Sequence, residues 1–340
     1  MTGSKSASPT RPREIRRFCV RAGVSLALIA LMLWAYDWRQ IIGKLALLTP
    51  AFVLFAWAYY AICQWVSAYR WRMLLRAKGV DVPTARLFVF YMVGMFANNF
   101  MPGGLGGDAV KAYSLYRQGE SGNIAVASVF VERFCGILAL SVLGAVASIA
   151  MLLADQPPLM PLLVFGFVLL LAAAAVMVWS VRLARHLRSL LAVLAPRLIR
   201  DRAIQLVDTV HSYRDDWHVL LRALAISVLL QGMIALFYSL VGFALAIPVP
   251  VLYFLLFLPI VTMITLLPIS LGGLGVREIA MVYLFATVGV SSEDMLSISL
   301  VAHILNTALS LSGGIMLLAS RFAWMTRGKR LPRLERKLGS

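Results

Sequence analysis

Six ionisable residues fall inside otherwise apolar sequence: Asp108 and Lys111 in "NNFMPGGLGGDAVKAYSLYRQG", Glu132 and Arg133 in "ASVFVERFCGILAL", and Arg277 and Glu278 in "LPISLGGLGVREIA". An ionised side chain at the centre of a bilayer costs roughly 2.5–3.5 kcal/mol on insertion scales, so Glu132, Arg133, Arg277 and Glu278 with Asp108 cost on the order of 10 kcal/mol unless paired or hydrated. Two arrangements relieve that cost. Glu132 or Glu278 pairs with an arginine from the opposite half of the chain and locks the halves together, or Arg133, Arg277 and Lys111 line a polar cavity and hold a phosphate head group, each arginine through its planar fork.

The turns beside these charges are rich in glycine. "PGGLGGD" at 102–108 and "SLGGLGV" at 270–276 share GGLG, with Gly103 and Gly272 separated by 169 residues, about half the chain. Each turn opens a helix whose free N–H groups and positive dipole end attract anions, which makes Gly103, Gly104, Gly106 and Gly107, and likewise Gly272, Gly273 and Gly275, candidate binding positions. In the competing reading Asp108 and Glu278 cap the helix starts and the glycines permit close packing. Asn98 and Asn99 end the segment before the first turn and suit the satisfaction of broken backbone groups better than substrate contact. His303 and Asn306, at i and i+3, share a helix face, where the histidine serves as a packed hydrogen-bonder or, less simply, as a proton relay.

The elements that must carry these residues are set by composition. The chain has 340 residues, 61% of them hydrophobic and 14% charged, with a mean hydropathy of +0.85, which points to an integral membrane protein. Lys and Arg outnumber Asp and Glu by 32 to 15, but the basic residues flank apolar runs, which speaks for membrane orientation and against nucleic acid. Cys19, Cys63 and Cys135 have no metal-like or disulfide spacing. No catalytic motif, metal cluster or cofactor fingerprint is present, so neither enzyme activity nor a cofactor is expected.

Apolar segments fall near 22–36, 50–68, 87–101, 123–153, 158–180, 219–246, 251–268, 279–289 and 295–319. If 87–101 crossed completely, the basic stretch 181–202 would face outward, against the positive-inside rule. Fifteen residues at ~1.5 Å each also reach only about 22 Å of a ~30 Å core. The pattern therefore predicts an all-α polytopic protein with two inverted repeats, each containing a re-entrant helical hairpin, and about six full spans. The first hairpin enters from the cytoplasm and breaks at Pro102, and the second enters from outside and breaks at Pro268. Residues 1–21 form a basic cytoplasmic N-terminus and 22–320 a single transmembrane domain. Its halves, 22–180 and 218–320, are joined by an amphipathic cytoplasmic linker, 181–217, and followed by a basic tail, 321–340. Arg70, Arg72, Arg76, Lys78 and Arg86 fall on the cytoplasmic side, and only Arg133 and Arg277 in the membrane. Trp57, Tyr59, Tyr60, Trp65, Tyr69 and Trp71 read as interfacial anchors.

Taken together, "NNFMPGGLGGDAVKAYSLYRQG", "ASVFVERFCGILAL" and "LPISLGGLGVREIA" resemble the transmembrane domain of lysylphosphatidylglycerol synthases and its stand-alone, flippase-like relatives, over about residues 20–320. The resemblance implies a bacterial inner-membrane protein with cytoplasmic termini that moves a modified lipid between leaflets. Its expected partners are a membrane lipid and lipid-pathway enzymes, with homodimerisation left open. The soluble synthase domain is absent from this chain, so aminoacyl-lipid synthesis is not expected of it. The alternatives are an ion-coupled transporter of a small anion and a lipid-modifying enzyme or its accessory subunit.

Overall fold

The computed structural model describes residues 38–99, 106–154, 157–178, 197–266 and 273–326, with isolated positions at 23, 180, 185 and 189. The expected first helix at 22–36, both termini, the hairpin tips with Pro102, Gly103, Gly104, Pro268 and Gly272, and most of linker 181–196 lie outside the described residues.

The helices are α1 (Trp38–Leu45), α2 (Pro50–Arg76), α3 (Thr84–Asn98), α4 (Gly106–Tyr116), α5 (Gly122–Leu153), α6 (Leu159–Val178), α7 (Arg197–Ser212), α8 (Trp217–Ala244), α9 (Val251–Leu266), α10 (Val276–Ala286) and α11 (Ser292–Thr326). There is no strand among the described residues. Helices α2, α5, α8 and α11 are each long and apolar enough to cross a membrane. The chain is thus an all-helical, polytopic membrane protein. Thr49 starts α2, its hydroxyl accepting from the Phe52 N–H at 3.2 Å, with Pro50 at the first helical position, where a missing N–H does no harm.

The order long helix, two short helices, long helix occurs twice. Lengths are 27, 15, 11 and 32 residues for α2–α5 and 28, 16, 11 and 35 for α8–α11. Packing follows the same exchange. Helix α3 lies on α11 as α9 lies on α5, α4 on α5 as α10 on α11, and α2 meets α8. That central pair is antiparallel: Tyr59 donates to the Met233 carbonyl (2.9 Å), Arg70 to Ser227 (2.5 Å) and Lys78 to Asp216 (2.7 Å), so numbers rise along α2 as they fall along α8.

Each pair of short helices folds back on itself. In the first, Leu87 of α3 and Leu115 of α4 share a core with Leu75, Val80 and Ala125, so both ends of this hairpin sit beside the end of α2 and the start of α5. In the second, Phe254 of α9 and Phe285 of α10 meet with ring centroids 4.9 Å apart, in a core that also holds Leu245, Ile247 and Met295. Its base therefore lies at the far end of α8. Because α2 and α8 are antiparallel, the two hairpins enter the bundle from opposite ends.

Glycine makes the closest approaches possible. A Cβ on Gly107 would lie 2.7 Å from the Gly94 carbonyl oxygen, so α3 and α4 touch backbone to backbone there. A Cβ on Gly313 of α11 would overlap the Met92 carbonyl oxygen of α3, and at the matching crossing a Cβ on Gly144 of α5 would stand 3.0 Å from the Pro259 ring of α9. Small residues let hairpin and long helix close to this distance where no hydrophobic force separates helix from lipid.

Several aromatic side chains are structural, contrary to the interfacial expectation. Trp71 is fully buried and donates to Ser128 at 3.0 Å. Trp57 donates to the Leu305 carbonyl at 3.1 Å, and Tyr60 accepts from Asn306 at 3.1 Å. Trp65 and Tyr69 are exposed.

Candidate functional site

Both hairpins line one cavity of about 410 Å³, walled by all eight helices α2–α5 and α8–α11. Most of the expected site residues meet there. From the first half come Asn98, Asn99, Gly107, Asp108, Lys111, Glu132 and Arg133, and from the second Arg277, His303 and Asn306. Gly106, Gly273, Gly275 and Glu278 are described but do not line it.

Asn98 does what its place before the turn suggested: its side-chain oxygen accepts from the Gly107 N–H at 2.5 Å, satisfying a backbone donor that the broken helix leaves open. Asn99 donates to Ser310 on α11 at 2.6 Å, tying the end of α3 to the other half. Glu278 is fully buried and caps α10, accepting from the Gly275 N–H at 2.6 Å. Gly275 has φ +84°, a left-handed conformation that suits glycine. At this position the capping reading holds.

The charges form two separate centres. In the first, Glu132 is 3% exposed and accepts from Arg70 at 2.6 Å, Lys111 at 3.0 Å and Tyr91. Asp108 takes Lys111 at 3.1 Å and Arg133. Lys111 also stands 4.3 Å from the centre of the Tyr91 ring, a cation–π contact that is stronger in a desolvated site. In the second centre Arg277 bonds Glu278 at 2.8 Å and touches the His303 Nδ1.

Among the described residues Glu132 and Glu278 take their arginines, Arg70 and Arg277, from their own half of the chain, not from the opposite half as expected. Arg70, expected only as part of a basic run on the cytoplasmic side, packs inside the bundle, 7% exposed, against Glu132 and Ser227. Its Nε has no hydrogen-bond partner.

Sequence reasoning also missed the neutral lining. Tyr60, Gln64, Ser67 and Arg70 face the cavity from α2 at spacings of four, three and three, one face of a helix. Gln231 on α8 lies opposite, and Thr262 and Thr307 complete the polar wall. The signal was a polar stripe on an apolar helix, hidden among aromatic residues. Outside the membrane-spanning segments, hydrogen bonds from Arg76 and then Arg72 hold the exposed Asp81 carboxyl below its ordinary value at the base of the first hairpin.

A helical membrane protein with paired hairpins around a charged central cavity is the class defined by this geometry. The family described as "Lysylphosphatidylglycerol synthase TM region" matches residues 18–314, and the chain belongs to it. It is 26% identical over 121 residues to the UPF0104 membrane protein PH1989 of Pyrococcus horikoshii, a match spanning 34% of this chain and 35% of that relative. The chain thus aligns with about a third of the curated relative's length. No solved structure matches it.

Proposed function

We propose that this protein moves an anionic lipid between the leaflets of a bacterial inner membrane, with its termini in the cytoplasm. The two sets of four helices are inverted repeats, the hairpins are re-entrant, and about six helices span the bilayer. The observation that carries the reading is the cavity: between the two hairpins, Arg70, Lys111 and Arg133 stand around two carboxylates, Glu132 and Asp108. A surplus cation among partly desolvated partners favours a phosphate, and the acyl chains stay in the bilayer while the head group occupies the cavity. Non-helical backbone at membrane depth is tolerated where it faces such a cavity, and rocking of one repeat against the other exposes it to each side in turn. Membership of a family named for a lipid synthase supports a lipid as cargo.

The test is translocation of fluorescent-acyl phosphatidylglycerol in vesicles containing the purified full chain. Arg133→Gln and Arg277→Gln should each slow translocation while the protein remains folded. Unchanged rates in both variants would remove the phosphate site. Uptake of soluble phosphate in place of lipid would favour an anion transporter.

A further inference from the structure

We infer that the cavity selects an anionic head group bearing several hydroxyls, of the phosphoinositol or phosphoglycerol kind, and disfavours a cationic aminoacyl head group. This deepens the reading above and rests on it for the site.

The first argument is the state of the carboxylates. An ammonium group needs an acceptor of opposite charge, yet every carboxylate oxygen facing the cavity is already engaged. Glu132 Oε1 takes Arg70 and Tyr91, and its Oε2 takes Lys111. Asp108 Oδ1 takes Lys111, and its Oδ2 takes Arg133. On the opposite hairpin Glu278 is withdrawn from the cavity wall, bonded to Arg277 and the Gly275 N–H. An aminoacyl head group would have to bring its positive charge among Arg70, Lys111 and Arg133 without a free anion to receive it.

The second argument is what remains available. Arg70 lines the cavity, is more than nine-tenths buried, and keeps an Nε–H without a partner. That donor belongs to the centre with surplus positive charge and suits an anionic oxygen.

The third argument is the neutral wall. Gln64 is the fifteenth residue of α2 and Gln231 the fifteenth of α8, so the two occupy matching positions on the antiparallel central pair. Both line the cavity, and neither side chain has a hydrogen-bond partner among the described residues. A carboxamide offers two donors and an acceptor without charge. That complement fits hydroxyls, which both donate and accept, whereas a bare phosphate uses the N–H donors and leaves the carbonyl acceptors unmatched. A cavity of about 410 Å³ also exceeds what a phosphate alone would fill, and falls in the range of small-molecule sites.

The experiment measures binding, independently of transport. Thermal stabilisation of the purified full chain in neutral detergent is titrated with phosphatidylinositol, phosphatidylglycerol, phosphatidic acid and lysyl-phosphatidylglycerol, and with soluble inositol 1-phosphate. Phosphatidylinositol and phosphatidylglycerol should bind at least about tenfold more tightly than lysyl-phosphatidylglycerol. Gln64→Leu with Gln231→Leu should remove the advantage of phosphatidylinositol over phosphatidic acid, and Gln64→Asn alone, which keeps the wall polar, should reduce it.

Equal or tighter binding of lysyl-phosphatidylglycerol by the unmodified chain overturns the inference, whether or not the glutamine variants fold. So does a phosphatidylinositol advantage that survives both variants. If the preferred lipids bind but are not translocated, the head-group assignment stands and the transport reading falls. Translocation with lysyl-phosphatidylglycerol preferred leaves transport standing and ends the assignment. Inositol 1-phosphate binding as tightly as the lipid supports the head group and turns the site toward a soluble anion.

Discussion

Arg70 on α2 and Glu132 on α5, 62 residues apart in the chain, meet at 2.6 Å with side chains 9% and 4% exposed, and their bond ties α5 to the central helix pair. Lys111 and Tyr91 converge on the same carboxylate.

Breaking that pair should be severe. Glu132→Ala leaves Arg70 buried without its counter-charge and should lower stability by about 3–5 kcal/mol. The double variant Arg70→Met with Glu132→Leu should recover much of the loss in thermal unfolding in detergent while remaining inactive in translocation. Equal stability of the single and double variants would show that the pair is not coupled.

Close approaches should be intolerant of a methyl group. Gly313→Ala and Gly107→Ala each force a Cβ onto a backbone oxygen and should destabilise by about 1–3 kcal/mol or more. Gly166→Ala on α6, where nothing lies within 4 Å, should be neutral or slightly stabilising. Denaturant unfolding of the three variants checks the order, and a Gly313→Ala protein as stable as Gly166→Ala would show that α3 and α11 are not in contact.

Much of this architecture was legible because its breaks are chemical. Proline and glycine interrupt apolar runs at 102–107 and 268–275, and 87–101 is too short to cross, so two hairpins were expected; the helix pairs α3–α4 and α9–α10 flank those breaks. The central charges were equally legible, since Asp108, Lys111, Glu132, Arg133, Arg277 and Glu278 stand out against apolar neighbours. Arg70 was not. It begins a basic run that continues through Arg72, Arg76 and Lys78, and the positive-inside rule assigns such a run to the surface as a block. Within that run Arg70 is buried, Arg72 and Lys78 are half-buried and Arg76 is exposed, a gradation that the sequence does not mark. The partners of Glu132 and Glu278 were hidden for a related reason: charge complementarity says that a carboxylate needs a cation, but not which of several will be nearest.

The cap on α10 yields a graded prediction. Glu278 both accepts from the Gly275 N–H and neutralises Arg277. Glu278→Gln keeps an oxygen for the cap and loses the charge, whereas Glu278→Ala loses both, so stability should fall in the order wild type, Gln, Ala, with the alanine variant lower by several kcal/mol. Thermal unfolding of the three proteins reads the order, and an alanine variant matching the wild type would remove the structural role.

The account depends most directly on the hairpins entering from opposite faces, and cysteine labelling measures this. In a background with Cys19, Cys63 and Cys135 replaced, single cysteines at Arg86 and Gln118 bracket the first hairpin, and others at Val251 and Thr287 bracket the second. Membrane-impermeant maleimide, applied to right-side-out and inside-out vesicles, should label 86 and 118 from one face only, and 251 and 287 from the other only. Labelling of 86 and 118 from opposite faces, or of all four from the same face, would contradict it.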